Sequence, residues 1–259
     1  MNERIARAWD AAAAGYDTYY VPRFAPWVAD AVREVTDADL PDGPVLVPCC
    51  GTFPELPALV EHLPGREIVG IDLSAGMVRL ARAAAARYPR VSVVQGDAAT
   101  LDPRWEGACA AVVSVFGLQQ LPDPAHALRS WAAALRPGGR LSVVFWPGRV
   151  ETDGPFALMS EILNRSPDRT WEDGLTGALT GVERDEQVAH AITHPDAATC
   201  FDAHIRSGPL RPLADEKGPA FVGRLRAEFL RRAPAGEWVH RPNARHIVVR
   251  AVVRGPESP

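Results

Sequence analysis

The chain has 259 residues, which suffice for one globular core with an insertion or a small cap but would be crowded for two independent domains. Its 47% hydrophobic and 23% charged residues are typical of folded proteins and argue against disorder. The net charge is only −4 and no basic run is present, which argues against nucleic acid as the main partner.

The N-terminal segment and the cysteines indicate a cytoplasmic protein. The stretch MNERIARAWD carries charges where a signal peptide needs an apolar core, and no stretch approaches the roughly 18 apolar residues of a membrane span. Cys49 and Cys50 are adjacent, Cys109 and Cys200 lie alone, and no CxxC pair occurs, so we expect buried thiols. Adjacent cysteines could bind a soft metal ion, but no further ligand stands at suitable spacing, and we expect no metal.

The chain begins with helical patterns and continues with alternating strands and helices. Amphipathic helices are predicted at 3–14 and 26–35, joined by the link GYDTYYVPRF. Strands are then predicted at 45–47, 67–71, 91–94, 110–114 and 141–146, with helices between them at 54–62, 74–87 and 124–135. Ser74 is a good N-cap, and RPGG at 136–139 predicts the end of a helix and a turn. This alternation is the signature of a parallel α/β sheet.

The second half of the chain has a different pattern. The segment 147–181 is rich in Pro, Gly, Asp and Thr and shows one short helical stretch at 156–163, which predicts an insertion over the carboxyl edge of the sheet. A strand at 188–193, helices at 195–207 and 218–232, and a terminal strand at 246–253 complete the prediction. Seven strands result.

Two aspartates follow predicted strands at the edge where open parallel sheets bind ligands. Asp72 ends the second strand, 21 positions after Gly51, a separation at which an acid can accept hydrogen bonds from ribose hydroxyls. The alternative is that it only caps the next helix. Asp97, in VVQGDAATL, follows the third strand and can accept from an adenine amino group, although it can also be an ordinary turn residue.

These segments carry a resemblance to a known family. GIDLSAGMVRLAR, QGDAATL, VVSVFGLQQLPDP and LRSWAAALRPGGRLSVVFW resemble, in order and spacing, the class I S-adenosylmethionine-dependent methyltransferases, especially the ubiquinone-biosynthesis-like small-molecule group. The similarity covers about 5–148 and 182–253. It implies a Rossmann-like α/β sheet of seven strands, mostly parallel with the last strand antiparallel, and helices on both faces. It also implies an N-terminal helical lid at 1–40, a cofactor-binding core at 41–148, a substrate-binding insertion at 149–181 and the C-terminal part of the core at 182–259.

The first motif of that family is altered in this chain. VLVPCCGTF aligns with an acidic residue followed by three alternate glycines, and Val47 takes the acidic place, Cys49 the first glycine, Gly51 the second and Phe53 the third. The family's acid helps to hold the ammonium group of S-adenosylmethionine. The resemblance implies that S-adenosyl-L-methionine is the cofactor and that it is bound by Pro48, Cys49, Cys50, Gly51, Asp72, Leu73, Met77, Asp97, Ala98 and Val115.

Phe53 leaves two interpretations open. In the first, its ring packs against the ligand or the lid helix and the cofactor still binds, with a loss of about 1–3 kcal/mol for the missing charged partner. In the second, the loop no longer binds the cofactor productively, and the fold serves other chemistry or a partner.

Aromatic residues predict the acceptor site. Tyr16 and Tyr20 fall in the link, and Trp171 falls in the insertion. Phe116 and Trp146 stand at strand ends on the functional edge, and Gln119 stands in the run GLQQL where the family often has histidines. Such residues suit a flat, mostly apolar acceptor, although they could also anchor these segments to the core.

No catalytic base can be assigned from the sequence. Ala110 stands where the family usually has an aspartate, and glutamine cannot accept a proton at neutral pH. His190, His194, His204 and His240 are candidates, each also readable as structural.

The resulting hypothesis is a cytoplasmic methyltransferase that acts on a small aromatic or polycyclic metabolite at oxygen, nitrogen or carbon, in bacterial secondary metabolism. Its partner is a small-molecule acceptor, with no nucleic acid or membrane, and the protein is a monomer or a homodimer. The alternative is a methyltransferase-like protein that does not methylate, either a cofactor-assisted cyclase or isomerase or a non-catalytic binding protein.

Overall fold

A computed structural model of the chain describes residues 3–164, 170–208 and 210–252. Over these residues the main sheet has seven strands, as the resemblance implied, and their order is β3-β2-β1-β4-β5-β9-β6. These strands are β1 (Val45–Pro48), β2 (Ile68–Asp72), β3 (Val91–Gln95), β4 (Cys109–Val115), β5 (Leu135–Phe145), β6 (Val182–Ala189) and β9 (Asn243–Arg250). The first five strands pair in parallel, whereas β9 is antiparallel to both β5 and β6.

The central strands are continuous apolar runs because both of their faces are covered. All four residues of β1 are buried, and so are the first six residues of β4. Runs of this kind are typical of parallel strands between two helical layers. The strand order reverses between β1 and β4, so the carboxyl ends of these two strands flank the crevice in which a ligand is expected.

Helices cover the sheet, and several of them begin at capping side chains that the sequence supplies. Ser74, Asp123 and Asp196 each accept a hydrogen bond from a backbone N–H three residues later. The helices are α1 (Glu3–Thr36), α2 (Leu56–His62), α3 (Ala75–Ala85), α4 (Pro124–Ala133), α5 (Pro155–Ile162), α6 (Ala197–Ser207) and α7 (Arg211–Arg232).

The N-terminal region is one helix, so the prediction of two helices with a link was wrong. Helix α1 runs through Pro22 and Pro26 without interruption. A proline inside a helix costs about 3 kcal/mol because it removes one backbone hydrogen bond and crowds the preceding turn. Burial of one face offsets this cost, since Trp27 and Ala31 have no exposed surface. The tyrosines of the predicted link therefore lie on a helix face.

Several boundaries also differ from the predictions. Strand β5 begins at Leu135 and includes the predicted RPGG turn as an irregularity in its pairing with β4. Strand β6 begins at Val182, six residues earlier than predicted, and α7 continues across a kink at Gly218. A separate ribbon pairs β7 (Ile192–His194) with β8 (Trp238–His240), and neither three-residue strand was predicted as such.

Within the described residues, no helix has both the length and the apolar character needed to cross a bilayer. The same residues contain no group of three or more His, Cys, Asp or Glu side chains that could hold a metal ion. The final residues of the predicted terminal strand, from 253, lie outside the described residues.

Candidate functional site

The loop after β1 keeps the backbone shape of a glycine-rich loop although two of its glycines are replaced. Cys49, Gly51 and Phe53 have φ angles of 56°, 53° and 74°. These are left-handed conformations that glycine adopts without strain, whereas each costs an ordinary residue about 1–2 kcal/mol. The three positions are those at which the sequence resemblance places glycines.

The ring of Phe53 points into the protein core and not into the crevice. Phe53 is 2% exposed and belongs to the cluster of buried apolar residues beneath the loop. Its ring lies against Gly70 of β2, where an added Cβ would stand 2.9 Å from Phe53 Cε1. Phe53 therefore does not line the cavity over the loop, and the buried cluster to which it belongs includes Trp27 and Ala31 of α1.

Asp72 closes the loop onto the end of β2. Its Oδ2 accepts a hydrogen bond from Gly51 N at 2.9 Å, and its Oδ1 accepts one from Ser74 N at 2.9 Å. Burial raises the pKa of this carboxyl, while both backbone hydrogen bonds oppose that rise. Each carboxylate oxygen can accept a second hydrogen bond, so the two contacts leave capacity for a ligand.

The first cavity, which we call the cofactor cavity, lies over this loop and has a volume of about 100 Å³. Eight of the ten residues predicted to bind the cofactor line it. They are Cys49, Cys50, Gly51, Asp72, Leu73, Met77, Ala98 and Val115. Trp9 and Tyr16 of α1 cover it from the other side.

The other two predicted residues do not line this cavity. Pro48 lies beneath it, where its carbonyl accepts a hydrogen bond from Ser114 Oγ at 2.8 Å. Asp97 is exposed, and its Oδ1 accepts a hydrogen bond from Ala99 N at 2.8 Å, as a turn residue would. Its neighbour Ala98 is buried and does face the cavity.

A second cavity of about 460 Å³, the acceptor cavity, adjoins the first. All six residues predicted to bind substrate line it, namely Tyr16, Tyr20, Phe116, Gln119, Trp146 and Trp171. Four residues border both cavities and form their common wall: Trp9, Tyr16, Phe116 and Gln120. A ligand in one cavity would therefore meet a ligand in the other at this wall.

Stacked aromatic rings shape the acceptor cavity. Phe116 and Trp146 stack at 4.1 Å with an interplanar angle of 7°, and Phe24 contacts Phe116 edge-on at 4.8 Å. Phe116 also has a positive φ of 58°, a strained conformation of the kind that collects at functional sites. These flat apolar surfaces suit a planar ligand.

Buried polar atoms without partners lie at both cavities. Thr52 and Glu55 line the cofactor cavity, and Gln119 lines the acceptor cavity. Thr52 Oγ1, Glu55 Oε2 and Gln119 Oε1 have no hydrogen-bond partner within the part of the chain that the structure describes. Buried polar atoms are normally paired, so orphaned ones at a cavity indicate that a ligand or water satisfies them. The unpaired oxygens of Thr52 and Glu55 therefore fit a cofactor cavity that takes a polar ligand.

Glu55 is the residue that sequence reasoning missed. An acid directly before a helix is usually a surface residue, yet Glu55 is 1% exposed. Burial raises the pKa of its carboxyl to about 8. The signal available in the sequence was its position between Phe53 and Leu56, both of which are apolar and buried.

The four candidate histidines occupy different environments, and of these four His204 lines one of the two cavities described above. His194 lies 2.7 Å from the Tyr19 hydroxyl and 3.0 Å from His240, which in turn lies 2.5 Å from Glu151 Oε2. His190 pairs with Asp30 at 2.6 Å. These contacts suit structural roles for three of the four.

His204 presents one ring nitrogen to the acceptor cavity. Its Nδ1 is 2.9 Å from the Cys200 carbonyl oxygen and 3.0 Å from the Tyr20 hydroxyl. A carbonyl only accepts, so this contact assigns the proton to Nδ1 and leaves Nε2 as an acceptor. Burial lowers the pKa of His204 to about 4, so the ring is neutral at pH 7.

Comparisons with known proteins agree with this geometry. A family model described as a methyltransferase domain matches residues 45–139. Demethylmenaquinone methyltransferase of Thermus thermophilus is 37% identical over 105 residues, which cover 40% of this chain and 46% of that protein. The match thus spans about half the length of this curated relative.

Two solved structures share the fold at low identity. Geranyl diphosphate C-methyltransferase from Streptomyces coelicolor, in complex with S-adenosyl-L-homocysteine, has a TM-score of 0.53 at 14% identity, covering 88% of this chain and 78% of that one. The [4+2]-cyclase SpnF has a TM-score of 0.54 at 20% identity, covering 88% and 81%. Residues 45–139 of this chain are therefore similar to a methyltransferase domain, and its sheet has the Rossmann-like fold of the class I S-adenosylmethionine-dependent methyltransferases.

Proposed function

We propose that this chain transfers a methyl group from S-adenosylmethionine to a small, flat and mostly apolar aromatic molecule. The observation that carries the proposal is the pair of adjoining cavities, one polar and one aromatic, with Trp9, Tyr16, Phe116 and Gln120 as their common wall. A methyl donor and its acceptor must meet in this way, because the transfer requires the two reacting atoms and the leaving sulfur to be in line.

The cofactor is assigned to the cavity over the loop after β1. Asp72 would accept hydrogen bonds from the ribose, and Met77 and Ala98 would flank the adenine. Gly51 and the backbone of its two cysteine neighbours would face the amino-acid portion. Phe53 supports this assignment because its ring packs on Gly70 and leaves the space above the loop open. When bound, the cofactor supplies an electrophilic methyl group.

The acceptor is assigned to the aromatic cavity. Trp146, stacked on Phe116, offers a flat surface for a ring, and Gln119 Oε1 offers an unpaired acceptor for a hydroxyl or amine hydrogen. A quinone-derived or phenolic molecule has these features, and the Thermus thermophilus relative is named for a demethylmenaquinone. A metabolite of this type remains our proposal for the substrate class.

His204 is the proposed proton acceptor for substrates that are methylated at a hydroxyl. Its Nε2 has no protein partner within the described residues, and its Nδ1–H is held by the Cys200 carbonyl. A neutral ring in this tautomer can accept a proton as the new bond forms. Because its pKa of about 4 lies below neutral pH, we expect its contribution at the lower end of the usual range for such a base, about 10²-fold.

The test is a screen of phenols, amines and carboxylic acids with methyl-labelled S-adenosylmethionine, analysed by mass spectrometry. We expect an aromatic acceptor to gain one methyl group, and Asp72→Ala to abolish the transfer without unfolding the chain. Cofactor binding with rearrangement of an acceptor, and no gain of mass, would favour the cyclase or isomerase alternative. Absence of cofactor binding would contradict both.

A further inference from the structure

Glu55 is a buried acid, and one of its carboxylate oxygens has no hydrogen-bond partner among the described residues. Its carboxylate lines the cofactor cavity, and Oε2 has no partner among the residues that the structure describes. A buried carboxylate in this state is costly unless it holds a proton or meets a cation. A positively charged ligand would therefore stabilise the charged form of this side chain.

No positive side chain of the described residues compensates Glu55. Burial is the main cause of its raised pKa, and only its own backbone N–H opposes that effect. The groups that interact with it are Tyr16 from α1 and Cys50 from the loop, and Asp72 at the end of β2 lines the same cavity. Phenol, thiol and carboxyl groups are neutral or negative in both protonation states, so none of the three supplies positive charge.

The residues that line the cofactor cavity likewise supply no positive charge. Its described lining contains the carboxylates of Glu55 and Asp72 but no Lys, Arg or His. Asp72 is already engaged by two backbone N–H groups, whereas Glu55 Oε2 is free to accept. A cationic group entering this cavity would thus find its counter-charge at Glu55.

We propose that Glu55 binds the α-ammonium group of the cofactor's amino-acid portion, a role that Val47 at the end of β1 cannot fulfil. This inference rests on the function proposed above. S-adenosylmethionine carries two positive centres, the ammonium and the sulfonium. The sulfonium must face the acceptor cavity, which Glu55 does not line, so the ammonium is the matching group.

Val47 explains why the counter-charge stands elsewhere. Its side chain is fully buried in the apolar cluster beneath β1 and pairs in register with Gly70. The same cluster accommodates the Phe53 ring. An acid at position 47 would be buried there without a partner, and Glu55 places a carboxylate at the cavity instead.

If Glu55 pairs with the ammonium group, cofactor binding is coupled to the loss of a proton from Glu55. The pKa of Glu55 is about 8 without a ligand, so the side chain is largely protonated at pH 7. Pairing with an ammonium requires the charged form, so binding releases a proton to solvent. Affinity should then rise with pH by about tenfold between pH 6 and pH 7.

The experiment compares two ligands by isothermal titration calorimetry. S-adenosylhomocysteine carries the ammonium, whereas 5′-methylthioadenosine has the same nucleoside but no amino-acid portion. We expect Glu55→Gln to weaken S-adenosylhomocysteine binding by about 10- to 100-fold and to leave 5′-methylthioadenosine binding unchanged. The control Glu61→Gln changes an exposed acid on α2 and should alter neither affinity.

Each other outcome overturns the inference. Equal affinity of wild type and Glu55→Gln for S-adenosylhomocysteine, or an equal loss for both ligands, would contradict the ammonium contact and leave the proposed function intact. Failure of the wild type to bind either ligand would overturn the proposed function as well. Titrations of the wild type at pH 6.5 in two buffers of different ionisation enthalpy give a second readout, in which release of less than about half a proton would contradict the pairing.

Discussion

Cys49 holds a left-handed backbone conformation that favours glycine. Its φ is 56°, and its side chain borders the cofactor cavity without being fully buried. The strain costs about 1–2 kcal/mol, and the side chain that a glycine would remove is small and packs at the border of a buried apolar cluster. We therefore expect Cys49→Gly to raise the free energy of unfolding by about 1 kcal/mol in urea denaturation.

The matched control is Cys49→Ala, which removes the thiol but keeps a Cβ on the strained backbone. This variant should not be more stable than the wild type. If Cys49→Gly proved no more stable than Cys49→Ala, the strain at this position would be absent in solution.

His204 is the proposed proton acceptor, so its replacement should lower the rate of methyl transfer. We expect His204→Asn to lower kcat by about 100-fold with the best phenolic acceptor of the screen, without changing the affinity for S-adenosylhomocysteine. His62→Asn, on the exposed end of α2, serves as the control and should leave kcat unchanged. An unaltered kcat in His204→Asn would remove this residue from the reaction.

The pH dependence of the wild type tests the same residue. The pKa of His204 is lowered to about 4, so the neutral ring persists as pH falls from 8 to about 5. At saturating cofactor and acceptor, His204 should cause no fall in kcat over this range. A decline with a midpoint near 6.5 would show an ordinary, solvated imidazole instead.

At the scale of elements, strand β2 determines where the altered loop puts its large side chain. Gly70 leaves room for the Phe53 ring, and an added Cβ would come within 2.9 Å of both Phe53 Cε1 and Cys50 Sγ. We expect Gly70→Ala to displace the ring towards the cofactor cavity. The affinity for S-adenosylhomocysteine should fall at least about tenfold, with a loss of about 1–3 kcal/mol of stability from overpacking.

A compensating change separates displacement of the ring from general damage. In the double variant Gly70→Ala with Phe53→Leu, the smaller side chain relieves the clash, and we expect most of the affinity to return. If the Gly70→Ala variant bound S-adenosylhomocysteine as tightly as the wild type, Phe53 would not control access to the cavity.

Helix α1 joins the loop region to the aromatic cavity. Asp10 Oδ1 accepts hydrogen bonds from Ser74 Oγ at 2.7 Å and from Gly76 N at 2.9 Å, which fixes α1 on the start of α3. Because α1 is continuous, helical spacing places Trp9, Tyr16 and Tyr20 along one face, over both cavities. A flexible link would not align them.

For the whole molecule, local sequence patterns predicted the strands of the sheet better than the helices that cover it. The first five strands are apolar runs separated by turns and helices, so their existence and parallel direction followed from alternation alone. Helix α1 was predicted as two helices because Pro22 and Pro26 are helix breakers in isolation. Burial against the sheet, which a local pattern does not contain, overrides them.

The location of a candidate site residue was predictable where it depends on position along a strand. Asp72 and Phe116 lie at strand ends, and the sheet brings them to one edge. The orientation of Phe53 was not predictable, because it depends on Gly70 in a different strand. The role of Glu55 depends on burial by elements distant in sequence, so it became visible only in the folded chain.

Acceptance of the cofactor by the altered loop is tested most directly by a crystal structure of the protein with S-adenosylhomocysteine. We expect the nucleoside between Met77 and Ala98, its ribose on Asp72, and the Phe53 ring still packed on Gly70. A structure in which the Phe53 ring fills that space, with Asp72 facing only water, would show that the altered loop does not bind the cofactor.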